Sequence, residues 1–408
     1  ASYSYNTSDG TLASFTDRRG FSQSFTYDSR KRLTSVTGQA EAGGTPQVSY
    51  AYEGDNLHSI TTPTARYNLF YDAFRRPTEV SVGSGSSAIT LWSREYNVSS
   101  GMRTKDTFGN GKVITYSYDS LHRVTGETHN GTKRFSWSYN KAGEVGRHED
   151  LANDLTYEHT YDLSGRLLKT DVSDGSSIKR AYNDMDLISR LVTHLGNGSQ
   201  LTHKFTYSDK DNLPSGVEFY KGSVAIGYDG LNRMTDRTCA LTDGSGNACR
   251  TEIKYRDLSG DRTTSYVRRL KYSASGGGLP LVDRVYGYDG NANIIAEKVL
   301  VTDDPTETIG EIRELYSYDS RNQLIRHDSK THDRTWLFSY DLGGNILRKT
   351  EYAYTTGTPG TPLSTVTYTY GTGAAADRVT NYNGSAVTYD GLGNITSIGS
   401  RTFTWDGR

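Results

Sequence analysis

A short sequence motif, called the phrase below, recurs along the whole chain and constrains the fold more than any other feature. In residues 116–124 it consists of an aromatic and a polar residue, then Tyr and Asp, turn residues, Arg and an aliphatic residue. Anchored on the Tyr, its copies fall at positions 5, 27, 52, 71, 96, 118, 139, 161, 182, 207, 228, 255, 288, 318, 340, 370 and 389. Most steps lie between 19 and 27 residues, and a few are stretched to about 30. This period predicts a repeat architecture.

The copies differ mainly at the residue after the Tyr. Asp follows it in the clean copies, as in Tyr27-Asp28, Tyr161-Asp162 and Tyr228-Asp229. Degenerate copies keep the Tyr but replace the Asp, as in Tyr52-Glu53, Tyr96-Asn97, Tyr139-Asn140, Tyr182-Asn183, Tyr207-Ser208 and Tyr255-Arg256.

One copy is predicted to be a β-hairpin. Before each anchor large apolar residues alternate with Ser and Thr, as in residues 135–139 and 366–370, which is the period of a strand. Asp followed by Gly or Asn then supplies a turn. A second strand is expected to begin at the aliphatic residue six positions after the Tyr, at Leu33, Val124, Leu167, Leu213, Ile346 or Ile395.

Because a lone hairpin is marginal in water, about seventeen of them are expected to pair edge to edge in a continuous antiparallel sheet. The sequence therefore predicts an all-β chain. A structural role for the Tyr-Asp pair is favoured, since a catalytic or binding pair would not need so many copies. The alternative is a row of repeated aromatic binding subsites.

Composition and charge exclude several classes of function. The 46 basic and 47 acidic residues give a net charge of −1, which disfavours nucleic acid or an anionic membrane as a partner. No apolar run is long enough to span a bilayer. Because the composition does not shift along the chain, we expect one repeat region over residues 1–408. Since Trp405 opens another copy of the phrase, we expect this region to be a piece of a longer protein.

The two cysteines flank a predicted turn. Cys239 and Cys249 would face each other if the strands on either side of residues 241–247 pair in register, and a disulfide would suit an exported protein. Two independent thiols remain the alternative.

Turns and insertions mark the connections between strands. Asn-Gly pairs at 110–111, 130–131, 197–198 and 383–384 predict two-residue hairpin turns. Longer insertions at 273–280, 302–311 and 355–362 are where contacts with other molecules are expected.

A search for catalytic and metal motifs leaves no candidate site. Nucleophile-elbow, zinc-protease, Walker and dinucleotide-binding patterns are missing from the sequence. The nine histidines are scattered, and the closest pair in sequence is His327 and His332. Residues 209–212 resemble a calcium loop but lack its Gly and closing Glu, so an ordinary turn is favoured. We therefore predict no catalytic, cofactor-binding or metal-binding residue.

The Tyr-Asp phrase and its Gly/Asn-Arg-Leu continuation closely resemble the YD repeats of the Rhs family. That family includes bacterial polymorphic toxins, the B and C components of insecticidal Tc toxins, wall-associated proteins and the teneurins. The resemblance implies a long sheet that spirals into an open or hollow shell, which in toxin members encloses a C-terminal effector. Toxin members also carry a self-cleaving core after the repeats, and no residue of that core matches this sequence; Asp304-Pro305 does not fit its motif.

The expected function is a non-enzymatic structural shell of a secreted or cell-surface bacterial protein, whose partner is a C-terminal effector of the same parent protein. One alternative is an extracellular adhesion or carbohydrate-binding module, which exposed aromatic residues at the insertions would favour. A second is a hydrolase assembled from distant loops, which perturbed carboxylates converging in one cleft would favour.

Overall fold

The structure is a computed structural model that describes residues 1–40, 44–241, 248–258, 262–274, 280–300, 306, 310–372, 377–390 and 393–405. Within these ranges the chain forms 35 strands of one antiparallel sheet and a 3₁₀ turn at Gly85–Ser87. The predicted all-β fold of repeated hairpins is confirmed. In the described residues, no helix is long and apolar enough to cross a membrane.

The anchor tyrosines lie in the odd-numbered strands. Each of the seventeen lies in one of these strands, and in fifteen of them it is the last residue. The bounds are β1 Ser2–Tyr5, β3 Ser22–Tyr27, β5 Gln47–Glu53, β7 Arg66–Tyr71, β9 Ile89–Tyr96, β11 Val113–Tyr118, β13 Thr132–Tyr139, β15 Leu155–Tyr161, β17 Ser177–Tyr182, β19 Gln200–Tyr207, β21 Gly222–Tyr228, β23 Ala248–Leu258, β25 Val282–Tyr288, β27 Gly310–Tyr318, β29 Arg334–Tyr340, β31 Ser364–Tyr370, β33 Ser385–Tyr389 and β35 Arg401–Thr402.

The even-numbered strands are the second strands of the hairpins. Their bounds are β2 Leu12–Thr16, β4 Leu33–Gly38, β6 Asn56–Thr61, β8 Pro77–Val82, β10 Arg103–Phe108, β12 Val124–His129, β14 Val145–Asp150, β16 Leu167–Val172, β18 Ile188–His194, β20 Pro214–Phe219, β22 Met234–Leu241, β24 Arg262–Ala274, β26 Ile294–Leu300, β28 Leu324–Ser329, β30 Ile346–Ala353, β32 Val379–Tyr382 and β34 Ile395–Ile398. Five of the six predicted starts are confirmed, and Leu213 lies one residue before β20.

The chain divides into two compact units. Unit 1 comprises Ala1–Thr115, Tyr288–Ala296 and Arg313–Arg408, and unit 2 comprises Tyr116–Gly287 and Glu297–Ile312. In unit 2, consecutive strands from β12 to β24 pair antiparallel, and in unit 1 the same holds from β1 to β10 and from β28 to β33.

Burial is shallow and largely polar. Ala65, Val82, Leu300 and Val387 are the buried hydrophobic residues of the described chain, whereas Ser329, Thr335 and Asp283 are among its most completely buried side chains. A thin sheet of this kind gains little from a central apolar core, so its stability has to come from links between neighbouring hairpins.

Of the four predicted Asn-Gly turns, two are two-residue turns and two are longer. Asn130-Gly131 and Asn383-Gly384 have positive φ at both residues, as a two-residue turn requires. At 110–111 and 197–198 a Gly precedes the pair, and the loop has three residues. There the Gly111 amide donates to the Phe108 carbonyl, and the Gly198 amide donates to the Leu195 carbonyl. The prediction of two-residue turns at these positions was wrong, because the extra Gly moves the positive φ to the third loop residue.

Candidate functional site

The Tyr of each phrase links its hairpin to the preceding one. Tyr161 lies at the end of β15, and its hydroxyl donates to the carbonyl of Val145, the first residue of β14, at 2.9 Å. At least twelve anchors make this bond, always to the first residue of an even-numbered strand. The acceptors are Leu33, Pro77, Val124, Val145, Leu167, Ile188, Pro214, Met234, Ile294, Leu324, Ile346 and Val379.

Trp405 makes the equivalent link with a different side chain. Its indole N–H donates to the carbonyl of Ile395, the first residue of β34, at 2.7 Å. This is the contact expected if Trp405 anchors a further copy of the phrase, as the sequence predicted. Residues 406–408 lie outside the described chain.

The Asp of the phrase closes the turn. The Asp119 Oδ1 atom accepts the amides of Leu121 at 2.9 Å and Arg123 at 3.0 Å, while Oδ2 accepts Arg123 Nε at 2.8 Å. The backbone bond from Arg123 and the side-chain bond from the same residue hold the pKa of Asp119 below its usual value. His122, the third loop residue, has a φ of 63°, which fits a type I turn followed by a left-handed residue.

The Arg of the phrase connects this turn to the next anchor. The Arg123 guanidinium carbon lies 4.2 Å from the centre of the Tyr139 ring, and Tyr139 in turn donates to Val124 at 2.7 Å. The same stacking joins Arg32 to Tyr52, Arg76 to Tyr96, Arg166 to Tyr182 and Arg233 to Tyr255. In these five phrases Tyr, Asp and Arg form a chain of contacts between adjacent hairpins, which accounts for their recurrence.

The histidines that the structure brings together are not those closest in sequence. His327 bonds Glu314 at 2.7 Å, and His332 bonds Ser329 at 2.8 Å, so each has its own partner. By contrast, His148 Nδ1 lies 2.9 Å from His159 Nε2, because β14 and β15 pair in a register that places them diagonally. Sequence spacing alone could not find this pair.

Burial lowers the pKa of both His148 and His159. The neighbouring His148 and Arg180 lower the pKa of His159 further, whereas Asp150 partly opposes the shift at His148. In the residues that the structure describes, no group of three or more His, Cys, Asp or Glu side chains is arranged to hold a metal ion.

The cysteines are in register, as the disulfide hypothesis requires. Cys239 of β22 and Cys249 of β23 are direct cross-strand partners, and both are free thiols in this structure. The turn between them at residues 242–247 lies outside the described chain.

The supposed calcium loop is an ordinary turn. Ser208, which replaces the Asp of the phrase, accepts the amide of Leu213 through its hydroxyl at 3.1 Å, and Asn212 has a φ of 55°. The side chains of Asp209 and Asp211 are exposed.

A surface cavity of about 320 Å³ lies beside hairpins β5–β6 and β7–β8 in unit 1. Glu53, His58, Phe70 and Asp72 are among its lining residues. His58 Nδ1 is 3.5 Å from Glu53 Oε2, but the Glu53 side chain is largely exposed, and Asp72 is bound to the Arg of its own phrase. The charged and polar side chains that line this cavity are therefore accounted for by turn and surface contacts.

Comparison with known proteins gives a match in structure alone. No protein-family model matches the chain. No curated protein matches it in sequence. The crystal structure of TcdB2-TccC3-TEV aligns over 100% of this chain with a TM-score of 0.69 and 13% identity, and the chain covers 25% of that structure. A structure of the Photorhabdus luminescens Tc holotoxin pore with a mutation in TccC3 gives a TM-score of 0.69 and 13% identity, over 100% of this chain and 24% of that one.

The chain therefore has a fold found in TcdB2-TccC3, and the resemblance to YD-repeat proteins is confirmed at the level of the fold. It spans about a quarter of the length of the solved chains that it matches.

Proposed function

We propose that residues 1–408 form one stretch of structural wall in an Rhs-type YD-repeat protein, and that this wall encloses or presents a C-terminal effector of the same polypeptide. In this proposal the sheet curves into a hollow shell, the region itself performs no catalysis, and the parent protein is secreted or displayed at a bacterial cell surface.

The observation that carries the proposal is that the repeated Tyr, Asp and Arg side chains hold neighbouring hairpins together. The Tyr hydroxyl, the Asp carboxylate and the Arg guanidinium bond one another and the backbone of neighbouring hairpins. A residue whose polar atoms are committed in this way supports a wall and has few groups left for a ligand. The fold match to TcdB2-TccC3 supports the same interpretation.

The adhesion and carbohydrate-binding alternative receives less support. It requires exposed aromatic residues at the three insertions, yet residues 273–280, 302–311 and 355–362 contain no Phe, Trp or Tyr. The hydrolase alternative requires perturbed carboxylates in one cleft. Where the pKa of a phrase Asp is lowered, as at Asp119 and Asp162, the cause is the backbone and the Arg of its own turn.

Protease protection of a fused reporter tests the proposal. A small, easily unfolded reporter is fused after Arg408, and the control carries the same reporter before Ala1. If the wall encloses the segment C-terminal to it, the C-terminal reporter should be inactive and should resist added protease. The N-terminal reporter should be active before protease is added and should then be cleaved. Equal cleavage and equal activity in the two fusions would contradict the proposal.

A further inference from the structure

The two cysteines of the chain lie side by side in the sheet of unit 2. Cys239 of β22 and Cys249 of β23 belong to a run of five consecutive cross-strand pairs. Because the register of this run is unbroken, the two residues stand directly opposite each other and their side chains leave the sheet on the same face. Strand pairing therefore brings together two thiols that are nine residues apart in the sequence.

A tyrosine of the next strand shows that both sulfur atoms lie close to one point. Tyr272 of β24 pairs with Thr251 and is therefore the diagonal neighbour of Cys249 on the same face. The hydrogen bond between the Tyr272 hydroxyl and the Cys249 side chain raises the pKa of Tyr272. The charge of Cys239 raises the pKa of the same hydroxyl further. Both thiols therefore lie near this one hydroxyl group.

The spacing of such a pair fits a disulfide bond. Directly opposite residues of two antiparallel strands have Cα atoms about 4.5 or 5.5 Å apart, and both separations fall within the range of about 4.4–6.8 Å found for disulfides. Cys239 and Cys249 are both half-buried, so a small soluble oxidant can reach them. Their partners on the outer strands are Val224 and Ala274, whose apolar side chains do not compete for the sulfur atoms.

We propose that Cys239 and Cys249 form a redox-sensitive clasp, which closes as a cross-strand disulfide when glutathione disulfide is present as the oxidant. The thiolate of one cysteine attacks glutathione disulfide and releases one glutathione, and the thiolate of the other cysteine then displaces the second glutathione. One S–S bond breaks and one forms. The two released glutathione thiolates take up the two thiol protons, and glutathione disulfide accepts the two electrons. The clasp depends on the register of β22 and β23 and not on the shell function.

A clasp that fits the native register is favoured by folding. The disulfide joins β22 to β23 covalently and removes chain entropy from the unfolded state. For a ring of this size, the ratio of disulfide to dithiol should be about ten to a hundred times greater in the folded than in the unfolded chain in the same glutathione buffer. This difference is the quantity that an experiment has to measure.

Peptide mass spectrometry of the intact chain tests the proposal. The protein is equilibrated in buffers of reduced and oxidised glutathione, either folded or unfolded in urea, then alkylated and digested with trypsin. Trypsin leaves both cysteines in the single peptide 238–250. From the folded chain this peptide should be two hydrogen atoms lighter than the dithiol and should carry no alkyl group. The unfolded chain should need a more oxidising buffer to close to the same extent.

A register variant separates strand pairing from the chance encounter of two thiols that are close in sequence. T238C/C239T keeps the composition of the hairpin but moves one thiol by one residue, and hence to the opposite face of β22. It should remain a dithiol in the buffer that closes the wild type, and far-ultraviolet circular dichroism confirms that it is folded.

Three results would each overturn the proposal. In the first, the thiols of the folded wild type remain open to alkylation or link two chains. In the second, the folded and the unfolded wild type close equally, a comparison that needs no variant. In the third, folded T238C/C239T closes as readily as the wild type.

Discussion

The buried ion pair of unit 2 should matter far more to stability than an exposed one. Arg269 of β24 and Asp283 of β25 bond through Nε to Oδ1 at 2.7 Å and through a terminal nitrogen to Oδ2 at 2.6 Å. Their side chains are only 4% and 0% exposed. Asp283→Asn preserves the shape but leaves the guanidinium charge buried without its carboxylate, which costs about 3–5 kcal/mol.

The matched control is a pair that water already solvates. Lys204 and Glu218, also in unit 2, lie 3.0 Å apart and are both more than half exposed. Glu218→Gln is expected to cost about 0–1 kcal/mol.

Hydrogen exchange followed by mass spectrometry measures the opening of β24 and β25 directly. For D283N, exchange in these strands should accelerate by about two to three and a half orders of magnitude, since each 1.4 kcal/mol is a factor of ten. The double variant R269M/D283L should recover most of the loss, because it removes both charges. A D283N effect no larger than that of E218Q would refute this reasoning.

Three further predictions concern the links, the packing and the pH response. Tyr340→Phe removes the bond to the preceding hairpin and should cost about 1 kcal/mol in urea unfolding; an unchanged midpoint would count against the link. Gly290→Ala should lower stability by about 1–3 kcal/mol because its turn is packed, whereas Gly230→Ala, at the same position of an open turn, should be neutral; equal effects would contradict the packing. Because the pKa values of His148 and His159 are lowered on folding, stability should fall as the pH drops below about 6.5, and H148Q/H159Q should flatten that slope in titrated thermal melts; an unchanged slope would exclude this pair as the cause.

The repeat could be predicted from the sequence because it is encoded locally. Alternation before each Tyr fixes the strand, Asp119 and residues like it fix the turn, and the aliphatic residue after the turn starts the next strand. Even the role of Trp405 can be inferred from its place in the period. The fold class and the structural role of Tyr could therefore be inferred without coordinates.

Side-chain contacts between strands could not be predicted from the sequence. The hydroxyl of Tyr161 bonds the first residue of the preceding hairpin's second strand, a partner set by the stacking of hairpins. The pairs His148–His159 and Arg269–Asp283 depend on register and on diagonal neighbours, which residue spacing does not specify. The shifted Asn-Gly turns were missed because a single preceding Gly changes the loop length.

An experimental density map of the intact chain, by electron microscopy or crystallography, tests the central claim most directly. The account predicts a curved wall around a solvent-filled interior, with the Tyr-Asp-Arg links running within the wall from hairpin to hairpin. A flat or compact stack with its aromatic residues turned outward would contradict it.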